Sequence, residues 1–312
     1  MPKNPSFHKN GIIVIDKPAG MTSAQVVSRV KRMTGAKKVG HTGTLDPFAT
    51  GLMICGINGG TRLSQFFLSG DKTYEAGLLL GTDTDTMDCT GAVVNNCEDN
   101  FFSSSEEQYD SEFFNSLFKT FVGKQSQLPP VYSALKHNGV PLYKLARQGT
   151  PVQKPPRNIT IYSLSLKMLS MPSVFFEVSC STGTYIRTLA SDIGKIVGSG
   201  GHLFSLRRTE TCGFKIEDSI TLDELEAAEN PEPFLISMDK ALPDMAAHIA
   251  SEQLEAKISN GVGINVSDGI DIDQKGEDDF FIKVLSREGH VIAILNYLKS
   301  TDKYNYCCVF HN

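Results

Sequence analysis

The chain has 312 residues, 40% hydrophobic and 21% charged, a folded composition long enough for two domains. No run approaches the roughly 18 apolar residues of a membrane span, and the polar first ten residues do not read as a signal peptide. Seven cysteines without a CxxC pair argue against a zinc site or a disulfide framework and for a reducing cytoplasm. The net charge of −5 hides a segregation of sign, because Phe113 to Phe176 contains no Asp or Glu but eight Lys and Arg residues. Arg29, Lys31, Arg32, Lys37 and Lys38 form a second basic cluster, while acid gathers in Glu98 to Glu112 and Asp268 to Asp279. Such a chain can present a positive face to phosphates despite its acidic total.

In chain order, the β-branched run Ile12 to Ile15 predicts a buried strand, stopped by Pro18 and Gly20. Thr22 with Gln25 three residues on is a capping box for a helix carrying Val26, Val27, Val30 and Met33, ended by Gly35. The stretch Val39 to Gly51 follows. Its glycines, threonines and Pro47 predict a loop, with His41 and Asp46 at its centre. Pro47 biases Asp46 towards an extended backbone. On spacing alone Asp46 is more often an ordinary Asp-Pro turn residue than a nucleophile or base. Gly51 to Ile57 reads as a buried strand, Thr61 to Leu68 as a short helix and Lys72 to Leu80 as a strand.

Gly81 to Gly91 reads as a polar loop. Its Asp83, Asp85 and Asp88 do not match a calcium loop, since the central glycine and closing glutamate are missing. Asn95 to Ser111 reads as an acidic surface insertion, Phe113 to Phe121 as an amphipathic helix, and Gln127 to Lys136 as a proline-fixed loop. A short helix over Leu142 to Arg147 precedes a predicted hairpin, Ile159 to Met168 with Val174 to Cys180. Thr184 to Val197 is helical in period. Arg187 near its N-terminus sits against the helix dipole and calls for a partner carboxylate. A capped acidic helix over Thr221 to Ala228 follows. Beyond Leu242 short alternating segments predict a small β domain.

Several motifs in order carry a resemblance. Ile15-Asp16-Lys17-Pro18-Ala19-Gly20-Met21-Thr22-Ser23, the run Gly40 to Gly51, Lys72-Thr73-Tyr74, Gly81 with Thr84 to Asp88, Pro129 to Lys136, Gly183 to Leu189 and His202 to Thr209 together resemble the bacterial tRNA pseudouridine-55 synthases of the TruB type. The likeness spans Gly11 to Thr211. It implies an α+β fold: a pseudouridine-synthase core with an extended, mixed but largely antiparallel sheet and a cleft. A catalytic domain over 1–241 and a small β-rich, PUA-like RNA-binding domain over 242–312 are expected. The acidic stretches at Asn95–Ser111 and Asp268–Asp279 depart from the pattern.

The resemblance implies isomerisation of uridine 55 in the T loop of tRNA by base flipping. Asp46 would be the nucleophile, Arg187 the cation that orients and ionises it, and Tyr74 the aromatic that stacks on the flipped base. His41 would take the place of that base in the loop, and Asp88 would position Arg187 or Tyr185, or else cap its own turn. Tyr185 and Leu206 would wall the pocket. Lys17, Lys136 and the helix face around Arg29 and Arg32 would contact phosphates, which position rather than specify. The chemistry exchanges no electrons, so neither cofactor nor metal is expected, and the chain carries no nucleotide-binding fingerprint. The expected partner is the T-arm stem-loop of tRNA, with the protein a monomer needing no other subunit. Guide-RNA-dependent catalysis of the dyskerin type and a tRNA-folding module are the competing readings.

Overall fold

A computed structural model describes residues 7–98, 101–102, 108–270 and 280–310. The apolar run Ile12 to Ile15 is the buried heart of β1 (Gly11–Lys17). Thr22 caps α1 (Ser23–Thr34): its hydroxyl accepts from the Gln25 N–H, its own N–H donates to the Gln25 side chain, and Gly35 closes the helix in the left-handed region. β2 (Val39–Thr42) and β3 (Thr50–Ile57) then pair antiparallel. The predicted loop from Val39 therefore begins as a strand, because its first four residues find ladder partners at Ile54 to Ile57, and only 43–49 is loop. α2 (Ser64–Leu68) leads into β4 (Lys72–Leu80).

The predicted polar loop after β4 is also partly regular. β5 (Thr82–Thr84) folds back on β6 (Val93–Asn96), which takes in the first residues of the expected acidic insertion. Much of the remaining insertion, 99–100 and 103–107, lies outside the described residues, as does 271–279 of the second acidic stretch. α3 (Ser111–Phe121) is capped by Asp110, whose carboxylate accepts from the Phe113 N–H. β7 (Gly123–Gln127), the small hairpin β8 (Lys136–His137) and β9 (Val140–Pro141), and α4 (Leu142–Arg147) follow. The hairpin of β10 (Arg157–Ser170) and β11 (Ser173–Cys180) forms as the alternation predicts. The chain continues through α5 (Ile186–Val197), β12 (Gly201–Thr211), β13 (Phe214–Lys215), β14 (Ile220–Thr221) and α6 (Leu222–Ala227).

These strands build one large mixed sheet in the order β14-β1-β3-β12-β4-β11-β10-β7, with β2 added on β3 and β13 on β12. Most pairings are antiparallel. The β12–β3 contact is parallel and only two residue pairs long, Arg207 with Thr50 and Arg208 with Gly51. On one face, α1 packs Val26 and Val30 against Ile13, Ile15, Met53 and Cys55. There too, Phe114 and Phe118 of α3 and Leu189 and Ile193 of α5 pack against Leu78, Phe176 and Val178. Each fully buried side chain of this size contributes about 1.5–3 kcal/mol.

The C-terminal part of the chain, from Ala246, forms a second sheet, ordered β15-β17-β18-β19-β16 from β15 (Ala246–Ile249), β16 (Ile264–Asn265), β17 (Phe280–Leu285), β18 (Val291–Leu298) and β19 (Lys303–Val309). The sequence reading missed β15 and the helix α7 (Glu252–Ser259). Both are short and rich in alanine or charge, so their periodic signal is weak. This sheet has a core of its own around Leu254, Ile258, Ile282, Val284 and Leu295. Its other side meets the back of β1 and β3, where Val291, Ile294, Cys308 and Phe310 join Ile12, Val14, Leu52 and Ile54.

Gly51 sits where β3 meets β12. Its φ is +103°, and a Cβ there would lie 2.3 Å from the Arg208 carbonyl oxygen. Gly51→Ala is expected to lower stability by about 3 kcal/mol or more, read as a lower midpoint in urea unfolding.

Candidate active site

The loop 43–49 is tied down at nearly every residue. The buried Ser23 hydroxyl accepts from the Leu45 N–H at 2.9 Å and donates to the Leu45 carbonyl at 3.1 Å. The Gly20 N–H donates to Pro47 O at 2.8 Å, and the Ala49 N–H to Asp46 O at 3.1 Å. Lys17 is fully buried and donates to three carbonyls: Pro18 (3.0 Å), Pro47 (3.2 Å) and Ala49 (2.6 Å). Burial pushes its ammonium down to about 8, against the attraction of Asp46. Lys17 is therefore an internal strut and not the phosphate contact expected of it, because all three of its donors point inward. On the other side, Arg208 Nη2 donates to Gly43 O at 3.2 Å and Nε to Leu52 O at 2.8 Å.

At the centre, Asp46 meets Arg187 from the first turn of α5. Arg187 Nε lies 2.9 Å from Asp46 Oδ2, an ion-pair contact off the hydrogen-bonding angle, and Nη2 donates to Oδ1 at 3.3 Å. The Arg187 side chain is 4% exposed and that of Asp46 35%, so the pair opens on the carboxylate side. Arg187 is over-determined. It donates to Thr86 O and Tyr132 O, both at 2.8 Å, and Nη1 lies 3.5 Å from Asp88 Oδ2. Asp88 also accepts from the Thr86 hydroxyl and from the N–H and hydroxyl of Thr90.

Burial pushes the Asp46 carboxyl above its ordinary value. Arg187 is the largest opposing influence, Asp88 adds to the rise and Lys17 resists it. Arg187 thus limits the rise rather than reversing it, so the expected ionising role is a partial one. Tyr185 caps α5 through its backbone, which exchanges two hydrogen bonds with the Gln127 side chain at 2.8 and 3.0 Å and so sets where Arg187 emerges.

Tyr74 and Leu206 lie side by side across β4 and β12, where Tyr74 faces Arg208 and Ala76 faces Leu206. Both share an apolar cluster with Leu45 and Ala49 at the two ends of the Asp46 turn. Burial raises the Tyr74 phenol, opposed by the Arg208 charge and by a hydrogen bond to it, so the ring is neutral at physiological pH. His41 lies on β2 opposite Cys55, not on a loop. Burial first and the Arg208 charge second lower its imidazole, and its Nδ1 is buried without a hydrogen-bond partner. It is therefore neutral, with polar capacity unspent.

The remaining basic residues divide. Lys136 is exposed on the β8–β9 hairpin. Arg29 is engaged by the acidic face of α6, 2.6 Å from Glu226 and 3.4 Å from Asp223. Arg32 lies 3.5 Å from Glu226 but its side chain stays 69% exposed. Sequence reasoning missed Arg208, Ser23 and Gln127. For Arg208 a signal existed, because strand alternation puts it beside Leu206 on the same face. For Ser23 and Gln127 there was none, since their partners are backbone groups 22 and 58 positions away.

The site thus offers one carboxylate oriented by a guanidinium, a neutral tyrosine and an apolar wall, an arrangement suited to nucleophilic attack without a bound cofactor. The family profile described as "TruB family pseudouridylate synthase (N terminal domain)" matches residues 31–186, and that described as "tRNA pseudouridylate synthase B C-terminal domain" matches 187–243. The tRNA pseudouridine synthase B of Geotalea uraniireducens (strain Rf4) is 46% identical over 257 residues, 81% of this chain and 80% of that protein. That of Syntrophotalea carbinolica is 45% identical over 235 residues, 75% of this chain and 74% of that protein. Among solved structures, a chain of a Cbf5-Nop10-Gar1 complex superposes with a TM-score of 0.71 over 98% of this chain and 85% of its own. At 24% identity this is a likeness of fold.

Lys17→Met keeps the apolar stem and takes a donor from three carbonyls, of which Pro47 O keeps the Gly20 N–H. We expect a loss of about 2–4 kcal/mol in chemical unfolding at neutral pH. The pKa of Lys17 falls from 10.5 to about 8 on folding, so the wild type sheds the cost of its buried charge as pH rises through that interval. The gap between wild type and variant therefore widens from about pH 8 to pH 10.

Proposed function

The chain belongs to the TruB family of pseudouridylate synthases, and from that premise we propose that it converts uridine 55 in the T loop of tRNA to pseudouridine, with Asp46 as nucleophile. The observation that carries this reading is the Asp46–Arg187 pair: a carboxylate on a loop pinned from both sides, with its free edge towards solvent. A uridine in a folded T loop is stacked, so it must swing out before a side chain can reach it, at a cost of a few kcal/mol. The neutral ring of Tyr74 offers a stacking surface for the extruded base. Leu206 closes the apolar side, and His41 on the adjacent strand is poised to occupy the space the base leaves. Asp88 and Tyr185 act at one remove, through Arg187 and through the start of α5.

The bond changes balance internally. Asp46 attacks the nucleoside, the bond from N1 to C1′ breaks, the freed uracil turns within the pocket, C5 bonds to C1′, and the bond to Asp46 breaks to return the free carboxylate. C5 gives up a proton and N1 gains one, so no electron acceptor and no external group are required. Arg187 holds the carboxylate at a fixed angle and offsets part of the burial that disfavours its charge. We further assign residues 242–312 to a PUA-like RNA-binding domain. Its five-stranded sheet with its own core supports that reading. The exposed Lys136 lies in the acid-free stretch and would contact the phosphates of the T arm. The enzyme acts as a cytoplasmic protein on tRNA alone.

The direct test is an unmodified tRNA transcript incubated with the purified chain and no guide RNA. Pseudouridine should appear at position 55, and Asp46→Asn should abolish it while leaving tRNA affinity within about threefold. Tight binding by the wild type without turnover would favour the folding-module reading, and turnover only with an added guide RNA would favour the guide-dependent one. A second test is Arg187→Lys, which keeps the charge but loses the planar fork. Turnover is expected to fall about 100-fold. Asp46 is raised in the wild type and must be ionised to attack, so activity is lost as pH falls through its pKa. With the fork gone, that acid limb should move to higher pH.

A further inference from the structure

The second sheet carries a pair of groups that the reaction does not use. β18 and β19 pair Ile294 with Cys308 but Leu295 with Tyr306, leaving Cys307 as the extra residue of a β-bulge. The bulge resets the alternation of side chains. Before it, Tyr304 and Tyr306 pack on the inner core of the second sheet. After it, Val309 returns to that core. Cys307 and Cys308 both turn the other way, into the cluster that joins the second sheet to β1 and β3, together with Phe310. Two thiols thus stand side by side on one face at the seam between the two sheets.

Their surroundings are specific. Gln65 Nε2 donates to Cys308 Sγ at 3.5 Å, and Cys308 Sγ donates to Arg62 O at 3.9 Å. The Arg62 guanidinium stands over the Phe310 ring, 5.9 Å from its centroid, and donates to Val309 O. Cys308 is nearly fully buried and Cys307 partly buried. Burial pushes the Cys308 thiol up to about 11, so the pair lacks a ready nucleophile at Cys308. It is also ill placed to close on itself. Neighbouring Cα atoms are about 3.8 Å apart, inside the usual spacing of roughly 4.4–6.8 Å for a disulfide.

We infer that Cys307 and Cys308 form a binding site for a soft monovalent d¹⁰ cation of the Cu(I) class. Thiolate donors select such ions. On binding, each thiol releases its proton to solvent and two metal–sulfur bonds form. The metal keeps its charge and no electron moves. The bis-thiolate centre carries one net negative charge, and Arg62 lies beside it to offset that charge.

The test uses the reduced full-length chain without oxygen, with Cu(I) presented as its complex with a chromogenic chelator. The wild type should withdraw about one equivalent, and X-ray absorption should report two sulfur neighbours. Cys307→Ser and Cys308→Ser should each weaken uptake on the order of 100-fold. Cu(I) should raise the Tm of the wild type and not of the variants. Cys307→Ser guards against misfolding, because Cys307 lies at the margin of the cluster and serine is close to cysteine in size: the variant is expected to keep the metal-free wild-type Tm, so its lost uptake reports the site itself. Undiminished uptake by the double variant would overturn the inference. So would a reduced wild type that ignores Cu(I) but closes to a vicinal disulfide when treated with a small-molecule disulfide.

Discussion

Everything in the catalytic half depends on one contact, the ion pair between Asp46 and Arg187. Its two members are 141 positions apart in sequence and arrive from opposite directions, one on a loop and one in the first turn of a helix. Neither is comfortable alone. Burial disfavours the carboxylate, and a cation at a helix N-terminus opposes the dipole. Together each lessens the other's cost, and the unpaired edge of Asp46 remains open. Because Arg187 is also bonded to Thr86 O, Tyr132 O and Asp88, its position is set before any substrate arrives. Such preorganisation separates a reactive carboxylate from one that merely forms a salt bridge.

The two sides of that contact are supported by different kinds of interaction. Asp46 is fixed by polar struts to backbone: Ser23 on Leu45, Gly20 on Pro47, Lys17 on Pro47 and Ala49. Arg187 is fixed by its own five-donor fork and by the Gln127 clamp on the start of α5. Lys17 shows how a charge can be structural. Its ammonium is held in a buried nest of carbonyls although the burial lowers its pKa to about 8, because losing it would take a donor from each of those carbonyls.

Legibility in the sequence followed the range of the physics. Where the signal is local, the reading was accurate: the Thr22–Gln25 capping box, the strand Lys72–Leu80 and the helix Leu142–Arg147 appear at the expected positions. Asp46, Tyr74, Leu206 and Arg187 could be nominated through the resemblance, and the need for a carboxylate partner was visible in Arg187 itself. Errors came where a distant partner decides. Lys17 looked like a phosphate ligand because its sequence neighbours do not reveal that Pro47 and Ala49 lie above it. Arg29 looked available because the acids of α6 are nearly two hundred positions away. Val39 to Thr42 looked like loop because glycine and threonine weaken the strand signal, whereas the ladder to β3 overrides it.

The same logic explains why the site lies where it does in the sheet. The edge of β3 is shared: β2 pairs with Ile54 to Ile57, and β12 pairs only at Thr50 and Gly51. Between the two partners the ladder is interrupted at Leu52. Arg208 fills the interruption, its Nε taking the Leu52 carbonyl and its Nη2 the Gly43 carbonyl, with Gly51 kept free of a side chain so that the two strands can meet. The loop bearing Asp46 leaves the sheet at this split, and Tyr74 and Leu206 flank it because β12 and β4 remain paired alongside. A continuous ladder would offer no exit for the loop and no opening beside it. The exit of the Asp46 loop is therefore a consequence of strand pairing, and Arg208 is the residue that makes the break in pairing tolerable.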